Sequence, residues 1–466
     1  MPVRRQIPAR PRSKKMPALK KLFWLYFLLL IFEGALRKWV LPGFSAPLLL
    51  VRDPVAVLII LEAHRTNKWP ARWSVVMGVL ACALLGLCVW QMILGDNSGI
   101  AAVYGLRSYL LPFPVAFIMG ENLDREDLRK FCAATLWFML PLVALEVAQY
   151  LAPQGSILNA GAYKGAGQIY YVEEHVRASG TFSFVVGPTF YNAIVAAFLF
   201  YGLMNKKFAK KWLLWAATFA LILSVPVVGS RTLVAELAGV AVCAGIAAMF
   251  GVSQFIKAIK IVIPLLAVYF LVSLLPVFSA ATLSLRERSI TAYSFEGGVR
   301  HAVEQRTSGS IIAAVIETNF SRNPIGIGMG RGAAAVSALA TGKAQFVAGE
   351  YEFIREMTEF GPFPGIAFSL IRFLLALSLT FSAIKCAKRK EPLALLLVTP
   401  LFATLCFGQL EQPTDQGFMV ICMAFTIAAI RCSSMGVEGK TARAPAPPGP
   451  GRRIQARSGW GSVRPR

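Results

Sequence analysis

Apolar residues fall along this chain in blocks near bilayer length, separated by short basic or polar stretches. A helix crossing the hydrocarbon of a bilayer needs roughly 20 such residues. The blocks predict spans near 19–36, 45–62, 73–93, 99–119, 131–151, 181–203, 211–229, 232–251, 259–280, 362–384, 392–409 and 416–431, twelve in all. The expected fold class is all-α integral membrane: a basic segment over 1–18, a polytopic domain over 19–431, and a disordered Pro-, Gly- and Arg-rich tail over 432–466. Two interruptions stand out by length, 152–180 and 281–361. Connections longer than about 15 residues are usually functional, and the second holds two helical patterns, "EGGVRHAVEQRTSGSIIAAVIETNF" and "AGEYEFIREMTEFG".

Composition agrees with a membrane protein: of 466 residues, 56% are hydrophobic and 15% charged, and the mean hydropathy is +0.58. Basic residues set the orientation, because Lys and Arg are retained on the cytoplasmic side during insertion. With the N-terminus inside, roughly two thirds of the 48 Lys and Arg lie on the inner side. Both termini are then cytoplasmic and both long loops face outward. The net charge of +24 follows from this bias and from anionic lipid at the inner face, so no nucleic-acid partner is needed. The first apolar stretch, "LFWLYFLLLIF", follows a basic leader like a signal peptide, but no small-residue cleavage pattern comes after it, and it is kept as a span.

None of the eight cysteines falls in an outer loop, and no disulfide or zinc spacing is visible. His175 and His301 lack neighbouring His or Cys, which leaves neither a metal nor a cofactor site to propose.

The densest cluster of charge at a membrane edge is "GEYEFIREMTEFGPFPG", residues 349–365. On a helix, Glu352, Arg355, Glu356 and Glu359 form one polar stripe, expected to be solvated, with Arg355 paired at i−3 or i+4. Phe353, Ile354, Met357 and Phe360 form the other side, and Glu350 falls with them. A carboxylate there either loses solvation and becomes a general base or stabilises a helix N-terminus. Upstream, "SRNPIGIGMGRG" (321–332) has glycines that permit close approach to backbone or ligand, flanked by Arg322 and Arg331 as phosphate contacts. Arg231, in the hairpin "VVGSRT" (227–232), either snorkels to headgroups or faces an anionic group inside. Glu33, Arg52, Asp53, Arg107 and Glu146 are intramembrane charges for which mutual pairing and substrate contact both stay open. Tyr170 and Tyr171 are either interfacial anchors or stacking surfaces for sugars.

An outer Gly-Ser-Arg at a hairpin tip, one long outer loop late in the chain, "NPIGIGMG" within it and "GEYEFIREMTEFGPFPG" closing it resemble the O-antigen ligase and polymerase superfamily. The early "GALRKWVLP" and "VRDP" and the "ASGTFSF" before the sixth span resemble its polymerase members, and the similarity covers roughly residues 20–430. The resemblance implies a metal-independent, inverting glycosyltransferase at the periplasmic face of a bacterial inner membrane. Its partners would be an undecaprenyl-pyrophosphate-linked glycan, an acceptor glycan, the lipid bilayer, and chain-length regulator or flippase proteins. Arg231 matches the hairpin arginine, a pyrophosphate ligand. Glu350 stands where the ligases often carry histidine, which turns the expectation from ligation toward polymerisation. Arg322, Arg331 and Arg355 are further phosphate candidates, and Arg355 or Glu359 would organise their surroundings. An O-antigen ligase, a twelve-span transporter and a non-catalytic assembly protein are the alternatives; against the transporter, the two halves lack an equal-repeat layout.

Overall fold

The computed structural model describes residues 17–94, 97–162, 175–205, 208–250, 267–295, 324–333, 336 and 352–441. The described residues are mainly helical, and eight of the helical segments are long and apolar enough to cross a membrane. The protein is therefore an all-α, multi-pass membrane protein. Its helices are α1 (Ala18–Ala35), α2 (Asp53–Arg65), α3 (Ser74–Ile93), α4 (Gly99–Leu110), α5 (Pro112–Asn122), α6 (Arg125–Leu151) and α7 (Val186–Met204). Then come α8 (Lys211–Val228), α9 (Arg231–Met249), α10 (Pro276–Phe295), α11 (Glu352–Phe360), α12 (Pro362–Lys388) and α13 (Pro413–Thr441).

Local sequence sets the helix starts. Asp124 caps α6 through a reciprocal pair, accepting from the Asp127 N–H at 2.9 Å while its own N–H donates to the Asp127 carboxylate at 3.0 Å. Ser98 and Ser230 cap α4 and α9 by accepting from Ala101 and Leu233. Proline occupies the first turn of α5 and α12, where its missing N–H costs nothing.

Packing ranks the helices. In α7 the apolar window is 83% buried and in α13 78%, against 28% for the segment containing α3. The first two form the centre, while Val75, Val79, Val89 and Ile93 of α3 turn outward as a lipid-facing surface. Aromatic rings knit the centre together: Trp24 stacks on Phe131 at 4.1 Å, and Phe131 meets Phe425 of α13 at 5.4 Å. Polar contacts mark the two ends. At one, Lys20 meets Asp124 at 2.8 Å, Arg125 meets Glu391 at 2.9 Å, and Arg431 lies 3.9 Å from Glu121. The other end holds the C-termini of α1, α3, α6 and α8 and the N-termini of α2, α4, α7, α9, α12 and α13, and all the groups discussed below lie there.

Several expected boundaries change. The 45–62 block is a single turn at Ser45–Leu48, a break, and then the 13-residue α2. Pro47 and Pro54 interrupt the helix, and between them Arg52 turns inward to Glu33 at 2.9 Å. The 392–409 block consists of two short helices, Leu393–Leu396 and Val398–Phe402, and a π turn, Ala403–Phe407. Around residue 274 the chain bends by 93° between two helical pieces. Helix α13 continues to Thr441, so residues 432–441 are helical, not part of a disordered tail. The pattern at 296–320 lies outside the described residues, as do Tyr170, Tyr171 and His301.

The segment entering α7 packs directly on α1. Thr181 donates to the Ile31 carbonyl at 2.6 Å, and a Cβ on Gly34 would sit 2.3 Å from the backbone of Phe182 and Ser183. Gly34→Ala is therefore expected to force the two apart and to lower the thermal midpoint in detergent by several degrees. An unchanged midpoint would show that this contact does not limit stability.

Candidate functional site

Helix α11 departs from the expected solvation: its polar stripe is buried along with Met357 and Phe360 of the apolar side. Glu352, Arg355, Glu356 and Glu359 are all at most 3% exposed, whereas Phe353 and Ile354 are half-buried. The cause is what the stripe meets: α12 and the turn before α13 present charges to it instead of water. Arg355 pairs with Glu352, the expected i−3 partner, and with Glu411 at 2.7 Å. Arg372, three turns into α12, pairs with Glu356 and lies 3.4 Å from Glu352. Arg372 also donates to the carbonyls of Leu405 (2.6 Å) and Gly408 (2.9 Å), which the adjacent π turn leaves available. Arg355 is thus a positioning residue whose guanidinium is engaged by carboxylates inside the bundle.

Glu359 anchors the glycine-rich segment. Its carboxylate accepts from the N–H groups of Gly330 (2.8 Å) and Gly332 (2.9 Å) and from the Tyr109 hydroxyl (2.9 Å). Gln91, at the end of α3, donates to the carbonyls of Ile325 and Glu359, both at 2.7 Å, and accepts from Met329 N–H at 2.8 Å. Asn97 donates to the Met329 carbonyl at 3.0 Å. Gly330, at φ 83°, sits where a Cβ would be 2.2 Å from the Ala101 carbonyl oxygen, so backbone meets backbone there. The segment 324–333 is consequently clamped onto α3 and α4 and carries Arg331 exposed on its outer side, where Arg331 donates to the Ile327 carbonyl at 3.0 Å.

Arg231 is half-buried in the first turn of α9, directly after the Ser230 cap. A cation there faces the positive end of a helix dipole, an arrangement that favours an anion nearby. Glu350 and Arg322 lie outside the described residues. The intramembrane charges pair with one another: Arg52 with Glu33, and Arg107 with Asp53 at 2.6 Å. Glu146 accepts from Ser224 at 2.5 Å. His175 stacks on Tyr150 with ring centroids 4.5 Å apart. Gln91, Asn97, Tyr109, Arg372 and Glu411 were not singled out in the sequence; a lone polar or charged residue inside an apolar block was the available signal for Gln91 and Arg372.

Cavities at the opposite end, one of about 340 Å³ beside Leu22, Leu58 and Glu62, lie away from these charges and have no part in their chemistry. Compared with models of protein families, with curated proteins and with solved structures, the chain matches none.

Two outcomes follow for this network. Arg372→Met leaves Glu356 and Glu352 buried without their guanidinium and should cost about 3–5 kcal/mol in unfolding measured in detergent; a cost near zero would mean that the carboxylates are protonated. Burial, and then the Glu411 carboxylate, push Glu359 up from 4.5 to about 7. The folded state then holds this proton more tightly than the unfolded state. The stabilising contribution is complete below about 4.5 and is lost as pH rises through about 7. The thermal midpoint should fall between about pH 4.5 and pH 7, and Glu359→Gln should flatten that slope.

Proposed function

We propose that the protein is a polymerase-type glycosyltransferase of the O-antigen ligase and polymerase superfamily. It would transfer a glycan from undecaprenyl pyrophosphate to an acceptor sugar hydroxyl at the periplasmic face of a bacterial inner membrane. In this proposal the chain crosses the membrane twelve times with both termini cytoplasmic. The end that holds Arg231, Arg331 and the Glu352–Arg372 network then faces outward.

The observation that carries the reading is the placement of two arginines at that end: Arg231 in the first turn of α9, and Arg331 exposed on a segment clamped to the bundle by Glu359, Gln91 and Asn97. The leaving group is a pyrophosphate, and arginine's planar fork matches phosphate oxygens while staying charged at any working pH. A preorganised cation in a partly dry site stabilises the developing charge more than water does. Arg231 is assigned to the pyrophosphate, Arg331 and Arg322 to auxiliary contacts, and Glu350 to accepting the acceptor's proton. Glu359 and Arg355 hold the frame.

The test is transfer by purified protein in nanodiscs, given an undecaprenyl-pyrophosphate oligosaccharide and EDTA. Laddered products are expected from the wild type. Arg231→Lys should lose about 100-fold in rate, because the fork is lost although the charge is kept. Glu350→Gln should abolish transfer while the protein stays inserted. A glycan left untouched, with and without an added acceptor, would refute the proposed activity.

A further inference from the structure

The basic end of the bundle carries the cavity of about 340 Å³ between the start of α1 and the end of α2. Its walls come from two helical rows. On α1, Ala18, Lys21, Leu22 and Leu25 recur at i, i+3, i+4 and i+7, and on α2 the same spacing aligns Leu58, Leu61, Glu62 and Arg65. Lys21 opens α1 and Arg65 closes α2, so both cations stand at the mouth of the cavity while the leucines lead away from it along the two helices. Leu25, Leu58 and Leu61 are exposed, and no other part of the described chain covers them.

The charge at the mouth is positive. Arg65 donates to Glu62 from Nε at 2.7 Å and from Nη2 at 2.8 Å, which answers the one carboxylate in the lining and leaves Nη1 without a partner among the described residues. Lys20 is engaged by Asp124 and Asp127, whereas Lys21 is exposed and enters no ion pair among the described residues. The sixteen residues before Pro17 add six Lys or Arg and no Asp or Glu, and the chain passes from them into α1 at Ala18, in the cavity wall. A mostly apolar recess of about 300 Å³ or more with a few polar groups at one edge is the form of a ligand site. A basic pocket between helices next to a polybasic segment attracts anionic lipid at the cytoplasmic face.

We propose that this cavity is a site for one anionic phospholipid of the inner leaflet, its acyl chain lying along Leu22, Leu58 and Leu61 and its phosphate between Lys21 and Arg65. The inference goes beyond the glycosyltransferase reading and shares with it only the orientation that turns the basic end to the cytoplasm. The occupant matches the site at both ends: alkyl groups meet leucine, and a phosphodiester meets an ammonium and a guanidinium with donors to spare. The lipid also has a mechanical role. Helices α1 and α2 are pinned at their other ends by Glu33 and Arg52 at 2.9 Å, and a lipid bridging Lys21 and Arg65 ties them at this one.

The experiment is native mass spectrometry of the full chain, delipidated in detergent and titrated with phosphatidylglycerol or with phosphatidylcholine of the same acyl chains. The wild type should retain one phosphatidylglycerol in preference to phosphatidylcholine, and that lipid should raise its thermal midpoint. Lys21→Gln and Arg65→Gln should each weaken phosphatidylglycerol about fivefold and leave phosphatidylcholine unchanged. Leu61→Trp, which fills the recess from an exposed position and so spares the fold, should abolish the retained lipid although both cations remain. Equal binding of the two lipids by the wild type would overturn the site, as would a phosphatidylglycerol preference that survives Lys21→Gln combined with Arg65→Gln. Retention undiminished in Leu61→Trp would place the lipid outside the cavity and overturn it too. A dimer in the delipidated wild type that disappears in Leu61→Trp would give the cavity to a second copy of the chain instead.

Discussion

The arrangement depends on the cost of placing charge inside an apolar bundle. Arg355 and Arg372, with Glu352, Glu356 and Glu411, sit almost entirely out of solvent, where each group is tolerable only while the others neutralise and hydrogen-bond it. That requirement fixes α11 against α12 and the turn before α13. Once α11 is fixed, Glu359 is fixed too, and with it the glycine-rich segment whose amides it holds. The position of Arg331 follows from a chain of contacts that begins with Arg372 inside α12.

The same constraint accounts for the rest of this end of the bundle. Glu33 answers Arg52, and Asp53 answers Arg107, so much of the charge on the early helices is matched locally. Lys38 is buried beside the Ser179 hydroxyl, and Arg231 lies in the first turn of α9.

Much of the fold was legible because hydrophobic block length is a direct readout of bilayer thickness. The blocks near 73–93, 99–119, 181–203 and 362–384 correspond to helices with shifts of a few residues. Blocks 45–62 and 392–409 misled because apolarity does not report continuity: Pro47, Pro54 and the inward turn of Arg52 break the first, and a π turn ends the second. The periodicity of α11 was readable, and so was the pairing of Arg355 with Glu352. Its solvation was not, because a polar stripe looks the same facing water or facing Arg372. Spacing put Glu359 on a solvated stripe, and the resemblance offered it, as an alternative to Arg355, a supporting role; its partners Tyr109 and Gln91 lie about 250 residues earlier in the chain, a distance that no local pattern spans.

That separation bears on how the protein is made. Gln91, Asn97 and Tyr109 enter the membrane early in synthesis, while the carbonyls, amides and carboxylate that satisfy them arrive with residues 325–359. Arg52 likewise finds the Pro413 carbonyl only when α13 begins. Until the last helices insert, the nascent bundle carries unsatisfied polar groups in lipid. A prematurely terminated chain would keep them, and so display the exposed intramembrane polarity by which an incomplete product can be distinguished from a finished one and removed.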